Sequence, residues 1–149
     1  MDELSVVPSN YRGEIIVALK FIPPPRQQSS NYDSKQSTKR RSSQRGGVLM
    51  ILVKEAKNLV SPKGSPDPFC KCYLLPEKTK SMKQKTSVCR KTTSPRWESA
   101  LSWDDLSLAD LSERCLELTV WDHDRIGHND ILGGVRFNVG TGKSIAFRS

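Results

Sequence analysis

The chain predicts an all-β fold, an antiparallel β-sandwich, on three observations. Short apolar or alternating segments recur, Pro and Gly turn signals separate them, and a single stretch has helical spacing. "GEIIVALKFI" (13–22) is a strand rich in β-branched residues, stopped by Pro23, Pro24 and Pro25. "GVLMILVKEAKNL" (47–59) is the second strand. "DPFCKCYLL" (67–75) alternates, with Cys70, Cys72 and Leu74 on one face and Phe69, Lys71 and Tyr73 on the other. "KQKTSVCR" (83–90) alternates as well, setting Lys83, Lys85 and Ser87 opposite Thr86 and Val88. A shorter strand is expected around "SALSW" (99–103), followed by a connecting helix in "DDLSLADLSER" (104–114). "CLELTVW" (115–121) is expected to bury Leu116, Leu118 and Val120 and to expose Glu117, Thr119 and Trp121. "ILGGVRFNV" (131–139) closes the series as the seventh strand.

At 149 residues the chain suits one domain, read as residues 13–139, with a flexible lead-in at 1–12 and a tail at 140–149. Residues 23–47 turn to Ser, Gln, Lys and Arg. Six basic residues and one acid lie between Arg26 and Arg45, a composition expected to form a disordered basic loop inserted in the domain. The longest apolar run, Val48 to Val53, is far short of the ~20 residues that a membrane-spanning helix needs. No hydrophobic secretory segment follows the start. These features predict a soluble chain on the cytoplasmic side. The four cysteines match neither a disulfide framework nor a zinc spacing, so reduced thiols are expected.

A net charge of +8 calls for an anionic partner: nucleic acid, a membrane surface or an acidic protein. Nucleic acid is the rival reading, but aromatics are only 7% and no DNA- or RNA-binding signature is present. An enzyme is not expected. Both histidines, His123 and His128, lie in one loop with no Ser or Cys nucleophile beside them. "GTGKS" (140–144) fails as a phosphate loop because Phe137 stands where the pattern needs Gly.

Two clusters carry the chemistry. Asp122, Asp124 and Asp130 fall within nine positions, between two strands, in a chain that is otherwise basic. Asp67, in the Pro-bounded turn "GSPDPF", can approach them from a neighbouring loop. Such carboxylates either hold a hard cation such as Ca²⁺ or cap turns and face water. The second cluster is a lysine face. Phe69, Lys71 and Tyr73 share an outward face with Lys83 and Lys85; neighbouring strands lie about 4.8 Å apart, so pairing of these two segments would gather the ammonium groups. Trp121, outward on its own strand, would border the patch. Such a patch suits a phosphorylated inositol headgroup, with point charges on phosphates and a ring on the sugar face. Lys78, Lys80, Arg90 and Lys91, with no acid between residues 78 and 91, add attraction to anionic lipid.

"SPDPFCKCYLLP", "KQKTSVCRKTTSPRW" and "LELTVWDHDRIGHNDILGG", in that order and spacing, resemble a C2 domain of the synaptotagmin type. "GVLMILVKEAKNL" and "CLELTVWD…LGGVR" are most similar to the second C2 domain of synaptotagmin-like proteins, Rab-effector relatives of synaptotagmin. The resemblance implies a type I Greek-key C2 sandwich of eight strands whose loops at one end bind Ca²⁺ and anionic lipid. It also implies that Asp67 is a loop 1 calcium aspartate and that Asp122, Asp124 and Asp130 are the three of loop 3. The other loop 1 aspartate is replaced by Ser61, with Lys63 close by, so weak or absent Ca²⁺ binding is expected. On the family's phosphoinositide pocket, Lys71, Lys83 and Lys85 take the lysine positions, Trp121 and Asn129 the tryptophan and asparagine, and Phe69 stands for the usual tyrosine. The implied role is a peripheral module on the plasma membrane or vesicle membranes, in vesicle trafficking and exocytosis. Its partners are anionic phospholipid and SNARE proteins; a Rab GTPase would be engaged only through regions outside this sequence, and no nucleic acid is expected. The family's eighth strand, which would pair with the first, is expected to be missing. That would leave a sheet edge open.

Overall fold

The computed structural model describes residues 2–5, 13–25, 46–139 and 144–147. Nine strands are described: β1 (Asp2–Ser5), β2 (Glu14–Ile22), β3 (Gly47–Lys57), β4 (Pro68–Leu75), β5 (Lys83–Lys85), β6 (Arg96–Leu106), β7 (Cys115–Asp122), β8 (Asp130–Asn138) and β9 (Ser144–Phe147). One helix, α1 (Leu108–Glu113), and a 3₁₀ turn (Lys80–Met82) complete the elements. All strand pairings are antiparallel, in a four-stranded sheet ordered β1-β2-β3-β6 and a five-stranded sheet ordered β5-β4-β7-β8-β9.

Alternation explains the core. Leu49, Ile51 and Val53 of β3 bury one face of the first sheet. Cys70, Cys72 and Leu74 of β4, Leu116, Leu118 and Val120 of β7, and Val135 and Phe137 of β8 bury one face of the second. Trp97 and Trp103 of β6 close the ends. Each buried indole N–H finds an acceptor, Trp97 donating to the Pro68 carbonyl (3.2 Å) and Trp103 to the Met82 carbonyl (2.9 Å). All four cysteines are free thiols.

Several boundaries differ from the sequence reading. Asp2–Ser5, expected within a flexible lead-in, pairs with Ile16–Leu19 of β2. Ser144–Phe147, expected in a tail, pairs with β8 in the other sheet. The place beside β2 that the resemblance gives to a C-terminal strand is therefore taken by β1, and the open edge expected there is corrected. Gly47, which the sequence reading made both the end of the basic loop and the start of the second strand, begins β3, and a Cβ there would strike the Phe21 ring. The remainder of that loop, residues 26–45, lies outside the described residues, as do residues 6–12 and 140–143.

The strand expected over 83–90 ends at Lys85 because the Thr86 hydroxyl accepts the Cys70 N–H (2.9 Å), a bond that another strand would otherwise take. β6 runs on through Asp104 and Asp105 to the buried Leu106, which pairs with Gly47. Helix α1 therefore starts only after Ser107, whose hydroxyl accepts the Asp110 N–H (3.0 Å) while Asp110 accepts the Ser107 N–H (3.3 Å) in a reciprocal cap. Glu117 and Thr119, expected to be exposed, are buried. β7 lies between β4 and β8; Arg136 of β8 and Lys78 from beyond β4 reach Glu117, and the Trp121 indole N–H donates to the Thr119 hydroxyl.

Candidate functional site: a lysine face and an aspartate loop

Register places the lysines. On the outer face of the five-stranded sheet, Lys71 of β4 stands opposite Lys85 of β5 and Thr119 of β7. Tyr73 stands opposite Lys83 and Glu117, and Phe69 opposite Trp121. Directly opposite residues in an antiparallel pair keep their Cβ atoms about 5 Å apart, so β4 and β5 carry three ammonium stems in one patch. The Lys71 ammonium lies over the Trp121 ring, 4.3 Å from its centroid, while the Trp121 indole N–H is held by the Thr119 hydroxyl at 2.8 Å. Burial pushes the Lys71 pKa down, and the neighbouring positive charges of Lys83 and Lys85 push it further. Among the described residues none of these three lysines has an acidic ion-pair partner.

Phe69 departs from the expectation of an outward aromatic edge. It is only 5% exposed, covered by the His123 ring at 6.0 Å and by the Lys71 ammonium at 5.8 Å, so it backs the patch rather than presenting a surface. Asn129, the remaining pocket residue implied by the resemblance, sits in the aspartate loop, where its side-chain carbonyl accepts the Asp124 N–H (3.0 Å).

One row further along the sheet is an acid whose role the sequence did not disclose. Glu117 is 4% exposed and lies between two cations, with Arg136 Nε at 2.8 Å and Lys78 Nζ at 3.2 Å from its two carboxylate oxygens. The Lys78 ammonium also lies 5.8 Å from the Tyr73 ring centroid, so this side chain folds down onto the sheet. An outward acid on a central strand, opposite Arg136 in register, was the available signal.

At one end of the sandwich, three connections meet. The Asp67 N–H donates to Asp122 Oδ1 (2.9 Å), the Lys91 N–H donates to Asp67 Oδ1 (2.7 Å), and the His123 N–H donates to the Asp67 carbonyl (2.9 Å). Asp124 Oδ1 accepts the Ile126 N–H (3.0 Å), which with the Gly127 amide and the Lys63 charge holds the Asp124 carboxyl below the usual range. A Cβ at Gly127 would approach Asp124 Oδ2 to 3.0 Å, so any side chain there would have to shift that carboxylate. The Lys63 ammonium reaches across from the 58–67 connection to Asp130 Oδ2 at 2.6 Å. That bond raises the Lys63 pKa, with smaller contributions from Asp124 and Asp122.

The carboxylates that the resemblance assigns to calcium do not fit a divalent cation in this arrangement. One oxygen of each is engaged by an N–H of the protein, the Ser61 hydroxyl accepts the Lys63 amide (3.4 Å), and a lysine ammonium already stands at the cluster. Among the described residues no group of three or more His, Cys, Asp or Glu side chains is placed to hold a metal. The concentration of acid in a basic chain is thus met by backbone amides and, at Asp130, by the chain's own cation.

A two-sheet antiparallel sandwich, with connections gathered at one end and a cationic face on one sheet, defines the C2 class of β-sandwich module. Residues 47–147 match the C2 domain family model, and the chain belongs to that family. It is 37% identical over 134 residues to synaptotagmin-like protein 2 of Bos taurus, covering 89% of this chain and 13% of that protein. It is 38% identical over 99 residues to synaptotagmin-like protein 1 of Mus musculus, covering 66% of this chain and 17% of that one. Among solved structures it is similar to a C2 domain of RIM from Drosophila, at 27% identity and a TM-score of 0.60, covering 67% of this chain and 84% of that one. The chain thus spans a small fraction of the full-length relatives it matches. Among the described residues no helix is long and apolar enough to cross a membrane.

Proposed function

We propose that this chain is a peripheral membrane-binding module that docks on anionic phospholipid, specifically a phosphoinositide headgroup, through Lys71, Lys83 and Lys85 beside Trp121. The observation that carries the reading is that Lys71, stacked over the Trp121 ring, shares one face with Lys83 and Lys85, and that none of the three has an acidic partner among the described residues. Like charges placed opposite one another on a sheet are destabilising, and an anion spanning them would relieve that repulsion. Headgroup phosphates would meet the ammonium groups while the sugar face packs against the Trp121 ring. Lys80, Arg90 and Lys91 would contribute long-range attraction of ~1 kcal/mol each near an anionic surface. Because the Lys63 ammonium already stands at the aspartate loop, docking would have little or no dependence on calcium. Its setting would be the cytoplasmic face of the plasma membrane or of vesicles, in trafficking and exocytosis.

Vesicle pelleting tests this, with phosphatidylcholine vesicles alone, with phosphatidylserine, or with phosphatidylinositol bisphosphate, each in chelator and in Ca²⁺, beside a gel shift on duplex DNA. The expected result is retention on the bisphosphate vesicles in chelator, in clear excess over the others. Equal retention on all anionic vesicles, with tighter binding to DNA, would replace the reading with non-specific polyanion binding.

A further inference from the structure

We infer that Glu117 sets the boundary of the anion site, confining headgroup contact to the Trp121 end of the lysine face by holding Lys78 and Arg136 out of it. The inference rests on the phosphoinositide reading above and adds a specificity-determining residue to it.

The outer face is organised in cross-strand rows. One row reads Lys85, Lys71, Thr119 and Gly134 across β5, β4, β7 and β8; the next reads Lys83, Tyr73, Glu117 and Arg136. The first row is cationic with small neighbours, next to the Trp121 ring. In the second row only Lys83 is left without an acid among the described residues. Glu117 is 4% exposed, yet Lys78 and Arg136, whose side chains are 57% and 50% exposed, both bend in to meet it at 3.2 and 2.8 Å. A buried carboxylate is retained only when its charge is compensated, so the two cations are the condition for Glu117 being there. The same contacts commit those cations to an internal partner. A phosphate arriving over Tyr73 would have to compete with the Glu117 carboxylate for them. Glu117 also cancels one of their two positive charges. The five positive side chains of this face therefore divide into three that are available and two that are engaged. The site accepts a headgroup of small footprint beside Trp121 and disfavours phosphates extending toward Arg136.

A double-mutant cycle on vesicles containing phosphatidylinositol bisphosphate tests this, using wild type, Lys78→Ala, Glu117→Gln and the double variant, each checked by its thermal melt. The general attraction of one surface charge is common to both halves of the cycle and cancels. Glu117→Gln should bind about fivefold more tightly, the effect of one unit of charge near an anionic surface. Lys78→Ala should cost at least threefold more affinity in the Glu117→Gln background than in wild type, because Lys78 reaches lipid only once released. Equal costs in the two backgrounds would overturn the inference, as would a Lys78→Ala loss in wild type matching that of Lys83→Ala. Lys78 is a surface residue, so this last comparison stands even where Glu117→Gln fails to fold. A wild-type protein that does not bind these vesicles at all would instead remove the underlying reading, and this inference with it.

Discussion

Lys63 and Lys71 are both lysines at a cluster of charge, and their surroundings push them in opposite directions. Asp130 raises the Lys63 pKa, so the Lys63–Asp130 contact is present at neutral pH and is lost as pH rises through that raised value. Lys63→Met should lower the melting temperature at low salt, with Asp130→Asn lowering it similarly, the two together adding little, and all of it shrinking as salt is added. Ca²⁺ should leave the wild-type melt where it is; a calcium-induced rise would contradict the placement of Lys63. Lys71 is lowered by burial and by its lysine neighbours. Its folded form tolerates the ammonium less well than free lysine does, whereas a bound phosphate favours it. Headgroup affinity should therefore be full at neutral pH and fall as pH rises through the Lys71 pKa, before an ordinary lysine titrates. Lys71→Arg, which stays charged, should carry binding to higher pH in the same pelleting assay. An identical alkaline profile for both proteins would show that Lys71 is not in contact with the anion.

At the level of elements, β2 to β4, β7 and β8 were legible because their apolar residues alternate or run continuously, and Pro or Gly lies at an end of most of them. β1 was not, since "DELS" has neither apolar alternation nor β-branched residues; its strand state comes from pairing with β2 alone. The far ends of β6 and the burial of Glu117 depend on which strands lie alongside, and no local pattern carries that. The lysine patch could be read because strand parity puts Lys71, Lys83 and Lys85 on predictable faces. The Lys63–Asp130 contact joins residues 67 positions apart, so sequence showed only that both loops were charged. The role of β1 as an edge cover has its own consequence. Deleting residues 1–5 should lower the melting temperature and produce concentration-dependent association, measured by sedimentation, through the exposed edge of β2. A deletion variant that stays monomeric with an unchanged melt would mean that β1 protects nothing.

For the whole molecule, the described charges fall into separate groups. The sandwich supplies a rigid frame with an apolar interior. At one end the aspartates are tied to Lys63, Lys91 and one another. On the outer sheet face Glu117 engages Lys78 and Arg136, and the lysines beside Trp121 have no acidic partner among the described residues. Binding strength would then come from a few placed lysines rather than from the total of +8. The most direct measurement compares wild type with Lys83→Ala/Lys85→Ala on vesicles with and without phosphatidylinositol bisphosphate at physiological salt. The double variant should keep the wild-type melt and lose at least tenfold in affinity for the bisphosphate vesicles, with a smaller loss on phosphatidylserine. A folded double variant with undiminished preference for the bisphosphate would contradict the account.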